Sequence, residues 1–347
     1  MDMHLPKGAV SLLSSAAAAT FLLAHGVPAE ASFPTDPDGR LTYADTSEYE
    51  SAMLSGGPPK DGIPSIDKPE FWSVAEADQY LDPDDVVFGL VENGVARAYP
   101  QRVLVWHEIV NDTVGGENLA VTYCPLTGTA LAFERGDTEF GVTGRLVNSN
   151  LVMYDRSTNT WFPQVLAVGI KGPRAGEALV ERPLIWTTWE RWKAAHPDTE
   201  VLSTQTGFAR NYNHDPYGTY NPLSGYYAPD SPRMFPVMHE DTRFPAKSVF
   251  LGARTSETAV AFRLDSLRQD GQLTIEADGE NFTAIYDPEL DTGHVFRGTT
   301  DAEAVIDGTG LHAVQWIGDD SAPEPVNSFD AMWFAWTAFY PETHVHE

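Results

Sequence analysis

Fifty acidic side chains against 22 basic ones give this 347-residue chain a formal charge of −28, spread along its length, which excludes nucleic acid and anionic lipid as partners. Lysine is scarcer than arginine, and the balance is that of an acidic, halophilic protein, because concentrated salt screens such charge within about 3 Å near 1 M. A lone cysteine, Cys124, excludes an intramolecular disulfide.

Lys7-Gly8, the apolar stretch from Ala9 to Ala24 and the small residues Ala29 and Ala31 read as a secretory signal peptide over residues 1–31. That makes the protein secreted or cell-surface, with a cytoplasmic location and an N-terminal amphipathic helix as the alternative. The run is too short and serine-rich for a membrane span, so no integral span is expected in the mature chain. Residues 32–61, rich in Pro, Gly, Asp and Ser, read as a linker with little packing potential.

Glu70 to Tyr80 is expected as a short helix. Val86 to Tyr99 reads as a hairpin around Asn93-Gly94, since Asn-Gly supplies the positive φ angles of a two-residue hairpin turn. Val103 to Val110 reads as the next strand, followed by a loop from Asn111 to Glu117 and a strand ending at Cys124. Pro125 and Gly128 break that run before Ala130 to Phe133 resume it, which sets the thiol where a strand enters a tight loop. Phe140 to Tyr154 gives two strands around Asn148-Ser149-Asn150, and Asp155 to Thr160 is turn chemistry. Thr187 or Thr188 caps a helix through Trp189 and Trp192 that Pro197 stops.

The stretch from Gly116 to Cys124 recurs from Gly279 to Asp287, with the same offset of 163 residues separating Phe133 from Phe296. Trp189, Trp192, Thr199 and Val201 are matched by Trp333, Trp336, Thr343 and Val345 at an offset of 144. These matches predict a mainly β (α+β) fold of two internally duplicated β-rich units, residues 62–205 and 246–347. Each is closed by a short helix, the pair is expected to pack with a pseudo-twofold relation, and residues 206–245 form an aromatic connecting loop. Asp287 stands where Cys124 stood, and the second copy has no evident His-Glu pair.

Pairing Asn111 with Asn118 sets His107 opposite Thr122, on the same sheet face as Cys124 and within about 7 Å of it. Three function classes follow. His107 and Cys124 suit copper or zinc, with Met153, His214 or His239 completing the coordination of a metal or redox site. Alternatively Cys124 is a nucleophile with His107 as base and Glu108 or Asp155 nearby. A non-catalytic binding or structural module, in which these groups are internally satisfied and the tyrosines of the connecting loop fill a packing contact, is the third.

Gly62 to Asp67, Trp106 to Asp112, Tyr123 to Ala130, Asn150 to Arg156, Trp189 to Pro197 and Asp215 to Gly218 together resemble the family catalogued as domain of unknown function 3179. The resemblance runs from about Asp61 to the C-terminus and implies no established activity. Similar members often carry a second cysteine where this chain has Thr127, a departure that leaves a lone thiol with His107 as the shared feature.

Overall fold

The structure, a computed structural model, describes Met1 and residues 40–298, 303–306, 314–317 and 323–346. The expected signal segment, apart from Met1, and the linker before residue 40 lie outside the described residues. The described part is mainly β, and none of its helices is long and apolar enough to cross a membrane.

Asn93 (φ 47°) and Gly94 (φ 75°) turn the chain between strands Val86–Glu92 and Val95–Pro100, as Asn-Gly dictates. Asn148 and Ser149 do the same between Phe140–Val147 and Asn150–Asp155. The first hairpin lies in a five-stranded sheet, flanked by Ile185–Thr188 on one side and, in parallel, by Glu200–Leu202 on the other. Beside it a meander of Ile109–Val114, Glu117–Cys124 and Thr129–Glu134 is extended by Glu181–Arg182. From Leu119 on, the Cys124 strand is buried on both faces, so its sequence reads as a continuous apolar run instead of an alternation.

The second half repeats most of this order, with Glu303–Ile306 and Val314–Ile317 where the first half has the three strands Phe140–Val147, Asn150–Asp155 and Trp161–Pro163. Val249–Arg254 and Ala259–Arg263 pair as a hairpin, flanked by Ser328–Met332 and, in parallel, by His344–His346. A meander of Gln272–Ala277, Glu280–Asp287 and Thr292–Arg297 is extended by Glu324–Val326. Cys124 pairs with Thr129, and Asp287 with Thr292.

Each half is closed by a seven-residue helix, Trp189–Ala195 or Trp333–Phe339. All four tryptophans at the first and fourth positions of these helices are fully buried. The Trp192 indole donates to Thr199 Oγ1 at 3.0 Å, and the Trp336 indole to Thr343 Oγ1 at 2.9 Å. Each ring lies on a glycine of the hairpin strand beneath it. A Cβ on Gly89 would fall 2.1 Å from Trp192 Cζ3, and one on Gly252 would fall 2.4 Å from Trp336 Cζ3. Gly252→Ala is therefore expected to overpack the core at a cost of about 1–3 kcal/mol, read as a lower urea midpoint with unchanged slope; an unshifted midpoint contradicts this close contact.

The halves dock through each other's turns. Met332 N–H donates to Thr127 O at 3.0 Å, while Arg191 reaches the carbonyls of Pro288 and Glu289 at 2.6 and 2.9 Å. Leu290 is fully buried among Trp189, Trp192 and Val87 of the first half.

Three local expectations are corrected. Glu70 to Tyr80 holds a two-residue strand, Phe71–Trp72, and a one-turn helix, Val74–Ala77. Part of the expected linker is packed structure, since helix Thr46–Ala52 buries Tyr49 beside Phe339 and strand Leu54–Ser55 pairs with Leu146 and Arg145. Most consequentially, Gln101–His107 is a helix, and the strand begins only at Ile109 and runs to Val114, so the expected loop from Asn111 to Glu117 shrinks to the turn Gly115-Gly116. Pro100, with φ −62°, sets the entry of the helix, and Val103, Leu104 and Val105 are buried as it lies against strands of both sheets, so tertiary packing overrides the strand preference of two valines.

Candidate thiol-carboxyl site

The helix Gln101–His107 ends in a residue that ordinarily would be glycine. Glu108 takes the left-handed conformation (φ 59°, ψ −27°), and its N–H closes the last turn onto Leu104 O at 2.7 Å. A side chain in that conformation costs roughly 1 kcal/mol or more, and such strain collects at functional sites. Ile109 pairs with Thr122, so the register differs by two residues from the expected one, and Tyr123 N–H donates to Glu108 O at 2.8 Å. Glu108 thus lies across from the end of the Cys124 strand.

Glu108 as a residue is 7 % exposed; no described residue donates a hydrogen bond to its carboxyl, and the carboxyl oxygens keep some contact with solvent. Burial, unopposed by any partner, raises its pKa to about 8. Cys124 is 1 % exposed, with Ser149 O at 3.9 Å from its sulfur. Burial, and secondarily the charge of Glu108, push the thiol up to about 11, against the hydroxyl and N–H of Thr127 and the N–H of Leu151, which favour the thiolate. Tyr217 completes the cluster. Its phenol is driven well above its ordinary range by burial and then by the charges of Glu108 and Cys124, and its hydroxyl has no partner among the described residues.

Around this cluster the backbone is held by a buried amide and hydroxyl network. Asn150 Nδ2 donates to Thr127 Oγ1 and to Gln164 Oε1, both at 3.0 Å. Thr127 and Thr129 share a hydroxyl bond of 2.8 Å, Gln164 Nε2 donates to Thr122 Oγ1 at 2.9 Å, and Asn150 Oδ1 accepts from Val165 N–H at 2.9 Å. Gly128, at φ 61°, brings its N–H to Cys124 O at 3.0 Å and tightens the loop. At neutral pH the site presents a thiol, a carboxyl that keeps much of its proton and a phenol, three weak acids whose charges act on one another.

His107 has another role. A carbonyl only accepts, so Nδ1–H donates to Pro64 O at 2.7 Å and Nε2 accepts from the Tyr212 hydroxyl at 2.7 Å, which in turn bonds Thr206. Burial lowers its pKa to about 4, leaving a neutral ring fully engaged by partners other than Cys124. Because His107 closes a helix, the same-face hairpin argument for a shared His107-Cys124 site does not apply.

The remaining expected ligands are dispersed in the same way. Met153 is a core residue of strand Asn150–Asp155, fully buried and paired with Val142 and Phe162. His214 and His239 are exposed, and the backbone carbonyl of His214 accepts the Trp106 indole at 3.0 Å. Asp155 accepts from Ser157 and Thr158 in its own turn. Among the described residues no three His, Cys, Asp or Glu side chains converge as ligands for a metal ion.

Several of the recognisable motifs form a clasp beside the site. Ser65 and Asp67 meet Arg156 at 2.8 and 2.7 Å, and Asp67 also accepts from Asn111 at 2.8 Å. Asp215 Oδ1 accepts the Tyr217 N–H at 2.7 Å, and Oδ2 accepts Gln101 Nε2 and the Tyr227 hydroxyl at 2.8 and 2.9 Å, which aims the tyrosine loop at the cluster. Sequence reading missed His294, whose Nε2 lies 3.6 Å from Asp287 Oδ2 with neither atom otherwise partnered; both residues are buried. An offset of 163 residues equates Asp287 with Cys124, which was the available signal.

No curated protein and no solved structure shows a significant match to the chain. The family model described as "Protein of unknown function (DUF3179)" matches residues 60–343, so the chain belongs to that family.

Proposed function

We propose that this is an internally duplicated protein whose first half keeps a reactive site, in which Cys124 and Glu108 do thiol-dependent acid-base chemistry on a small electrophile. The observation that carries the reading is Glu108: a residue in the left-handed conformation, largely buried, whose carboxyl receives no hydrogen bond from any described residue and whose charge acts on a buried thiol. A core cysteine filling space has no need of such a neighbour. The chemistry fits addition of the thiol to a polarised carbonyl carbon. The sulfur-carbon bond forms as the thiol proton passes to one oxygen of Glu108 and the carboxyl proton passes to the carbonyl oxygen, so Glu108 is unchanged at the end. The duplication is supported by the largely matching element order and by the paired tryptophan, glycine and threonine contacts. In the second half Asp287 and His294 replace the thiol and Leu131, which fits loss of thiol chemistry there.

Labelling of the native protein with iodoacetamide tests the reading. Alkylation of Cys124 is expected to be first order in reagent without denaturant and to rise with pH toward about 11. A cysteine that reacts only at the rate of global unfolding, tracking urea concentration, would rule out a native reactive site.

A further inference from the structure

A cavity of about 20 Å³, room for about one water molecule, lies on the seam between the two halves. The first half lines it with Ala130 and with Pro183 to Trp186, the second with Thr292 to His294 and with Asn327 to Asp330. The two sets correspond, Gly293 following Ala130 by the offset of 163 residues and Asp330 following Trp186 by that of 144. One copy thus closes the seam with apolar side chains, while the other brings an imidazole, an amide, hydroxyls and a carboxyl to the same place. Packing alone would be served by apolar side chains in both copies, because a polar group set into a seam has to be desolvated. His294 and Asp287 behind it are 1 and 0 % exposed, and the atoms they turn toward each other, Nε2 and Oδ2, have no hydrogen-bond partner among the described residues.

Asp330 is the member of this set with a path to the thiol loop. On strand Ser328–Met332 it lies on the same face as Met332, two residues on. Met332 N–H holds Thr127 O at 3.0 Å, and its side chain lies against Gly128, where an added Cβ would fall 3.3 Å from Cε. The Asp330 carboxyl receives no hydrogen bond from any described residue, and Arg268, the cation that acts on it, is bonded to Asp291 at 2.8 Å. Burial raises its pKa to about 7, with Arg268 lowering it and Asp291 raising it. The other elements packed on its strand bring few charges. Besides His294 they are Glu134, Arg254 and Arg297, held by Arg182, Glu181 and Glu324 at 2.6 to 2.7 Å, while strand Ile185–Thr188 and helix Trp333–Phe339 bring none.

We infer that Asp330 is a proton-operated latch on the thiol loop: as the neutral acid it lets the seam close and seats Met332 on Thr127, and as the carboxylate it draws water into the cavity and loosens that seat. A seam opened to water returns the carboxyl to its ordinary 3.8, so its support of the closed seam is whole below 3.8, falls as pH rises and is gone above 7. The latch stands by itself as a contact between the halves; it rests on the Cys124-Glu108 reading only in making thiol reactivity its output.

Hydrogen exchange in the full chain, labelled isotopically at methionine and followed by NMR, tests it. The Met332 amide, identified by its loss in Met332→Leu, reports the seam, and the amide of Met153, fully buried in the first half, reports opening of the core. With each rate corrected for the pH dependence of free amides, protection of Met332 relative to Met153 is expected to fall about tenfold from pH 6 to pH 8. Asp330→Asn, close in shape to the protonated acid, should hold that ratio constant. Asp291→Asn removes a like charge and releases Arg268, so the pH at which the fall levels off should drop below 7. A wild-type ratio that does not change with pH, a fall that survives Asp330→Asn, or a profile unmoved by Asp291→Asn would overturn the inference. If Met332 exchange follows Asp330 while Cys124 stays inert to iodoacetamide, the latch holds and the thiol reading alone fails.

Discussion

Glu108→Gln is expected to stabilise the protein at pH 8.5 relative to pH 5 and, in the same variant, to bring the titration of Cys124 down from about 11. The folded carboxyl titrates near 8, and an ordinary one near 4.5. Between those values the unfolded chain gives up its proton while the folded chain retains it, so stability falls as pH rises through this window. The contribution is whole below 4.5 and gone above 8, a few kcal/mol at about 1.4 kcal/mol per pH unit. Glutamine is close in shape to the protonated acid and does not titrate. Wild type and variant should therefore have similar urea midpoints at pH 5 and diverge by pH 8.5 in favour of glutamine. A difference between the two proteins that stays constant with pH would contradict a buried, unpartnered Glu108. For the thiol, a pKa of about 11 leaves roughly one molecule in a thousand ionised at pH 8. Removing the neighbouring carboxylate raises that fraction, so alkylation at pH 8.5 should be faster in the variant.

Glu181→Ala should be the most damaging single change away from the site. Glu181, 2 % exposed, meets Arg254 at 2.7 Å and Arg40 at 3.2 Å, and takes the Asn327 amide at 2.6 Å. Arg254 is 3 % exposed, donates to Val165 O at 2.7 Å and lies over the rings of Phe329 and Tyr340. Alanine would leave one guanidinium wholly buried and another largely so, without their carboxylate. Breaking a buried pair from one side costs about 3–5 kcal/mol, or roughly 10 °C in a chain of this size. Glu181→Leu combined with Arg254→Met removes two of the three charges, leaving Arg40 with only Leu179 O, and is expected to recover part of that loss. Equal melting temperatures for the single and double variants would show that packing, and not the unpaired charge, carries the effect.

Much of the scaffold could be read before any coordinates because its turns and helix stops are chemical. Asn93-Gly94 and Asn148-Ser149 sit where positive φ is required, and Pro197 follows the helix Trp189–Ala195 with Thr188 at its N-cap. The site was less legible. Val103 and Val105 suggest a strand, and nothing local signals that burial against two sheets will coil residues 101–107 into a helix. That one misreading carried His107 onto the Cys124 face and left Glu108 in a minor role, whereas the helix ends at Glu108 in a left-handed residue whose charge acts on the thiol. Tyr217 and Gln101 are far from Cys124 in sequence. Their approach depends on Asp215 gathering a backbone N–H, an amide and a phenol, which no periodicity encodes.

The exchange of turns between the halves bears on how the thiol loop is kept in place. Thr127, next but two to Cys124, is tied by its carbonyl to Met332, while the turn ending at Leu290 fills the tryptophan core of the other half. Were the halves separate subunits, both seats would empty together on dilution, and the geometry of the thiol loop would depend on protein concentration. Tethering makes the second seat intramolecular once the first is filled, at an effective concentration set by the connecting segment and unaffected by dilution. The thiol loop thereby keeps its frame at trace abundance, and the turn at Leu290 is free to be selected as an anchor with no chemistry of its own.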